Sequence, residues 1–211
     1  VGQVVAESIR VYGENFLRAL PLGLPIAIAD ELQLDGGVAQ RIVALAVFAP
    51  VFTAAYVYAC ILTSGHRPSR REWVTTLAVG TLVFLPAALT FPWFALLAVL
   101  WLGLVSQVVP AAAIEGRSAA DALRRGLELA KADYIHAAAS LATLAILFGL
   151  TRTVLGFLLR SQADNTIRVS IFLADTVLGP MLFIGAAMLY FDQAARAKVG
   201  SPRSRRRRAA A

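Results

Sequence analysis

Long apolar runs alternate with short charged ones along the whole chain. Ile42 to Leu62 is an apolar run of 21 residues with Pro50 in its middle. Trp73 to Leu89 gives 17 residues, and Trp93 to Ile114, Tyr134 to Leu159 and Ile171 to Phe191 are three more long runs. Thr90-Phe91-Pro92 forms a tight uncharged turn between two of them. About 20 apolar residues are needed to cross a bilayer as a helix, so each run predicts one span. Phe16 to Ala29 is apolar for only 14 residues and contains Pro21 and Pro25. Counting from Val11 extends it to 19, with Arg18 snorkelling toward the headgroups. This predicts a kinked first span, with a re-entrant segment as the alternative. The pattern as a whole predicts an all-α, polytopic six-helix transmembrane bundle over residues 1–198.

Two polar segments have helical rather than loop character. In the central one, EGRSAADALRRGLELAKADY, Ser118 and Asp121 have the spacing of a capping box. Leu123, Leu127, Ala130 and Tyr134 share one helical face. Asp121 with Arg125 and Arg124 with Glu128 are opposite charges four residues apart. An amphipathic helix on the membrane surface is predicted here. Residues 3–15, QVVAESIRVYGEN, predict a weaker second one, with Val4, Val5, Ile9 and Tyr12 on its apolar face. The two segments share an Ala-acid start and end in Asn or Asp before an aromatic, which suggests a parallel internal repeat.

Composition agrees with the pattern. Hydrophobic residues make up 58% and charged residues 16% of the 211, against about 25% charged in a soluble domain. The net charge of +7 is distributed unevenly. Alternate sides of the six-span topology carry 16 and 3 Lys and Arg residues. By the positive-inside rule both termini are expected in the cytoplasm. A five-span version moves only Arg10 and Arg18 to the other side. The Ala-, Val-, Leu- and Arg-rich usage suggests a GC-rich bacterial genome, hence a bacterial plasma membrane. The opening residues lack the features of a cleaved secretory signal; with Val1 in place of Met, a trimmed domain or an alternative start is expected. Residues 199–211 read as a disordered basic tail. Cys60 is the one cysteine, which excludes an internal disulfide and reads as a packed apolar residue.

Candidate chemistry is sparse. Arg152 and Asp175 are the two charges inside apolar runs. Each lies seven or eight residues from the Arg160–Arg168 loop, at matched depth on adjacent antiparallel spans. A charge in the membrane interior costs about 2.5–3.5 kcal/mol on insertion scales, so such residues pair or face water. They form a candidate intramembrane polar pair, read first as structural and second as part of an ion path. His66, Arg67, Arg70, Arg71 and the Arg205–Arg208 run are suited to anionic phospholipid headgroups; nucleic acid is not an expected partner. No metal-ligand spacing, phosphate loop or nucleophile motif appears, so neither a cofactor nor a catalytic site is expected. Glu115 and Asp192 lie at span ends, where solvation accounts for them.

VVPAAAIEGRSAADALRRGLELAKADY, AESIRVYGENFLRALPL and GPMLFIGAAMLYFDQAAR together resemble a bacterial and archaeal membrane family. That family includes the membrane domain attached to some glycerophosphoryl diester phosphodiesterases. The matching positions are Glu115, Gly116, Ala122, Leu123, Arg124, Arg125, Tyr190 and Asp192. Gly126 stands where Ser is usual, Phe191 replaces a Tyr, and Arg196 is displaced by two residues. The resemblance implies a six-helix bundle. It does not imply catalysis, because the phosphodiesterase chemistry of the fused proteins belongs to a separate soluble domain. The function expected is a non-enzymatic membrane anchor or scaffold, linked to phospholipid metabolism and with an unidentified protein partner. A transporter or lipid-translocating protein is the alternative.

Overall fold

The computed structural model describes residues 2–32, 37–91 and 93–199. The described residues form helices and turns, with no strand among them. Residues 33–36, Pro92 and the basic tail from residue 200 onward lie outside the described residues.

The chain opens with α1 (Gly2–Glu14) and α2 (Phe16–Ala19), then a 3₁₀ turn at Leu20–Leu22 and α3 (Leu24–Glu31). The kinked first span expected here is therefore not one continuous helix. Pro21 and Pro25 have no N–H to donate to the carbonyls four residues earlier, so the ladder is interrupted twice in five residues. The remaining helices are α4 (Val38–Ser64), α5 (Arg70–Thr90), α6 (Ala95–Val105), α7 (Val108–Glu115), α8 (Ala119–Ala132), α9 (Tyr134–Leu158) and α10 (Asp164–Val199). Five stretches are long and apolar enough to cross a membrane: α4, α5, α6 with α7, α9 and α10. The shortest are 21 residues, about 31 Å at 1.5 Å per residue, which matches a hydrocarbon core of about 30 Å. Five rather than six is the number of such helices among the described residues.

The N-terminal segment nevertheless covers the length of the bundle in pieces. Val4 packs with Ala137 and Leu189, the Tyr12 hydroxyl donates to the Val177 carbonyl at 2.6 Å, and Glu31 pairs with Arg168. From Leu189 to Arg168 along α10 is about 31 Å. The buried face of α1 is Val4, Ser8, Val11 and Tyr12, while Ile9 is exposed. α8 is rotated in the same sense: Ala122, Gly126, Leu129 and Ala130 are buried and Leu123 is exposed. In both helices the buried face lies about one residue away from the face marked by the large aliphatics. In lipid nothing drives a leucine inward, and small residues win the helix contacts because they let backbones approach. At Gly126 an added Cβ would sit 2.7 Å from the Val108 nitrogen.

The α6–α7 break has a local cause. Pro110 cannot donate to the Ser106 carbonyl, which accepts from the Val109 N–H at 3.3 Å instead. α7 forms the centre of the molecule, with Val108 through Ala113 all buried. Around it pack Tyr56, Val57 and Cys60 of α4, Val83 of α5, and Ile184, Ala187 and Tyr190 of α10. Outward-facing Leu82, Leu96, Ile135, Ile146, Phe157 and Leu158 are exposed, the arrangement expected where lipid is the solvent. α1 rests on α10 whereas α8 rests mainly on α6 and α7. The two segments read as a repeat therefore occupy dissimilar positions.

Several expected boundaries also moved. α10 begins at Asp164, not Ile171, so most of the expected polar loop is helical. A hydropathy pattern marks where a helix enters lipid, not where the helix begins. α5 begins at Arg70 because Ser69 and Glu72 form a full capping box. α8 has half of one. The Ser118 oxygen accepts from the Asp121 N–H at 3.3 Å, and its hydroxyl donates to the Asp121 carboxylate at 2.6 Å.

Candidate functional site at the two ends of the bundle

Charged side chains gather at both ends of the bundle. At the end away from the basic loops, Arg152 of α9 lies between two carboxylates. Its Nη2 donates to Asp30 Oδ2 of α3, and its Nε lies 3.0 Å from Asp175 Oδ1 of α10. The Asp175 contact has ion-pair distance without hydrogen-bond alignment, and neither Asp175 oxygen accepts a hydrogen bond. Asp175 is wholly buried, while the Arg152 and Asp30 side chains are 27% and 30% exposed. The guanidinium also lies over the Phe148 ring, 5.7 Å from its centroid. Nearby hydroxyls do not compete for it. Thr151, Thr153 and Thr176 each donate to the carbonyl four residues back.

Beside this triad, Arg168 of α10 pairs with Glu31 of α3. Between them is a cleft of about 80 Å³ lined by Asp30, Glu31, Arg168, Ile171 and Phe172 among others. Asp30 and Glu31 open the acidic stretch DELQLDGG after the first apolar segment and are not among the candidates the sequence singles out. The available signal was their position. They close the first apolar segment on the side where Arg152 and Arg168 also lie.

At the basic end, Glu115 terminates α7 and accepts from the Tyr190 hydroxyl, from Arg117 Nε and, at 3.3 Å, from Arg125 Nε. Gly116 follows with φ of +62°, a left-handed turn that suits glycine and redirects the chain toward α8. A Cβ there would also meet Glu72 Oε1 at 2.8 Å. The expected pairs of α8 do not form as drawn. Asp121 is engaged by Ser118, and Arg125 turns to Glu115 and, at 3.9 Å, to Glu128. Arg124 is exposed and outside the cluster. Hydrogen bonding to Glu115 raises the Arg117 pKa further above its ordinary value, so this group stays charged at any accessible pH.

A second cluster lies on the same end. Asp192 Oδ2 is 2.9 Å from His136 Nε2 and 2.8 Å from Arg196 Nε. Arg196 Nη1 reaches Asp133 Oδ2 at 3.1 Å. Asp133 in turn caps α9 by accepting from the His136 N–H at 3.2 Å. Buried Gln193 donates to the Asp133 carbonyl at 3.2 Å. Of the motif positions, Glu115, Gly116, Arg125 and Tyr190 thus meet in one place, Asp192 belongs to the neighbouring cluster, and Arg124 joins neither. Together the clusters tie the end of α10 to α7, α8 and α9.

Chemically these arrangements hold and orient charge. No group of three metal-ligating side chains occurs among the described residues. Cys60 is free and buried in α4, where it packs in the core. The long apolar helices mark the chain as a helical multi-pass membrane protein. No family model matches the chain, and comparison with curated proteins and with solved structures finds no match.

Proposed function

We propose that the chain is a non-enzymatic membrane module that anchors or organises a protein partner at the cytoplasmic face of a bacterial plasma membrane. The observation that carries this reading is how its charges are spent. Inside the bundle they are turned on one another, as at Arg152. At the basic end, by contrast, Arg67, Arg70, Arg71, Arg124 and Lys131 are exposed. None of them has an ion-pair partner among the described residues. That face suits anionic phospholipid headgroups, and the resemblance noted above would link the module to phospholipid metabolism.

The N-terminal pieces, which run beside α10 for its membrane length, support a sixth crossing and both termini inside. Cys60 is 1% exposed, so introduced thiols can be labelled with a low background. His66→Cys is expected to react with a membrane-impermeant maleimide only in inverted vesicles, and Gln162→Cys only in right-side-out ones. The opposite pattern overturns the orientation.

A transporter or lipid-translocating function is the second reading. It is favoured by the proline-broken α2–α3 segment ending on the buried Asp175 site. Native mass spectrometry of the protein extracted with its surrounding lipid separates the two. Bulk lipid with a stoichiometric companion protein is expected. Selective retention of one phospholipid or one small polar molecule over the bulk membrane replaces the anchor reading with the second.

A further inference from the structure

We propose that Asp30, Arg152 and Asp175 form a proton-binding site, with Asp175 as the group that takes up and releases the proton. The triad has two carboxylates and one guanidinium, so its fully ionised form carries an uncompensated negative charge within the bundle. The adjoining Glu31–Arg168 pair brings no net charge. Asp175 is the less well served of the two acids. It is wholly buried, whereas Asp30 is partly exposed and takes the aligned hydrogen bond from Arg152. Asp175 Oδ2 accepts no hydrogen bond, and Oδ1 has only the misaligned Arg152 Nε.

A buried carboxylate without donors, facing a second carboxylate, is stabilised by protonation on both counts. Among the described residues, the charged groups that face Asp175 are Arg152 from α9 and Asp30 from α3. Uptake adds one proton from solution to the Asp175 carboxylate and leaves Arg152 and Asp30 as a neutral one-to-one pair. Release restores the shared arrangement. The proton's route to the triad is through Asp30, which is partly exposed and borders the cleft between α3 and α10. Each proton exchanged therefore alters how firmly Arg152 holds α10 relative to α3. This inference does not rest on the anchor reading, and failure of either leaves the other standing.

The test is infrared difference spectroscopy of the full chain in lipid nanodiscs, titrated with acid. An ordinary Asp titrates near pH 4. The expected result is a protonated-carboxyl C=O band whose midpoint lies at least about one pH unit higher and which is absent in Asp175→Asn. Asp30→Asn removes the competing charge, so the band should persist with its midpoint moved down. Persistence of the band in Asp175→Asn overturns the assignment, as does a wild-type protein with no carboxyl titrating above the ordinary range. An unmoved midpoint in Asp30→Asn overturns the shared triad. A midpoint that falls when sodium replaces choline at constant ionic strength shows a metal cation competing for the site and overturns the assignment to a proton alone.

Discussion

Arg152→Ala is expected to destabilise the folded bundle by about 3 kcal/mol, the low end of the range for removing one partner of a buried ion pair. The low end applies because Asp175 can then take up a proton instead of remaining a stranded anion. The substitution removes three things together: the Asp30 hydrogen bond, the Asp175 contact and the stacking on Phe148. Arg152→Ala combined with Asp175→Asn should recover more than half of the loss, since no uncompensated buried charge is left. Thermal unfolding in one detergent, run on the wild type, both single variants and the double variant, gives the coupling directly. Equal melting of the Arg152→Ala protein and the wild type would sink the structural role of the triad. A double variant no better than Arg152→Ala would show that Asp175 is not what the arginine serves.

The part of this arrangement legible in the sequence was the part written in one dimension. Arg152 and Asp175 stood out as lone charges in apolar runs, and their equal distance from one loop suggested a common depth. Asp30 did not stand out, because an acid at the end of an apolar segment is ordinary. Its role depends on α3 lying beside α10 within reach of the Arg152 side chain, which no local pattern encodes. The same gap explains Glu115 and Tyr190, 75 residues apart in the chain and joined by a hydrogen bond. Only the resemblance placed them in one group, and it also included Arg124, which points away. The facing of α1 and α8 departs from the sequence expectation for a different reason. Amphipathicity in water reports which side is apolar, whereas here Ile9 and Leu123 are outside and Ser8 and Gly126 inside. The small-residue side was present in the sequence; the rule that reads it belongs to lipid, not to water. The broken first span was half legible. Its two prolines announced the break, but not that α1 would make up the missing length.

That break is held against α10 by a contact in which only glycine fits, and Gly23→Ala is expected to have the largest effect of any single methyl group added to the chain. A Cβ at position 23 would lie 2.1 Å from the Thr176 carbonyl oxygen and 2.6 Å from its carbon. Both are backbone atoms in the middle of α10, so no side-chain rotation relieves the clash. Overpacking typically costs about 1–3 kcal/mol, and this position belongs at the upper end. The facing glycine provides a graded comparison. At Gly179 the added Cβ would meet the Gly23 Cα at 2.9 Å and Ile26 Cδ1 at 3.2 Å, a smaller conflict in which only the Ile26 contact can be relieved by side-chain rotation. At Gly149 nothing lies within 4 Å, and alanine there should be neutral or slightly stabilising through better helix propensity. Melting temperatures are expected to fall in the order Gly149→Ala, Gly179→Ala, Gly23→Ala. Equal values for all three would show that α3 does not approach α10 at this point. The clash also has a reach beyond stability. Pushing α3 outward withdraws Asp30, two turns beyond Gly23, from Arg152, leaving the arginine to Asp175 alone. Gly23→Ala should therefore lower the Asp175 titration midpoint in the same direction as Asp30→Asn, without altering any charged residue. A destabilised protein whose midpoint stays where it was would separate the packing of α3 from the electrostatics of the triad.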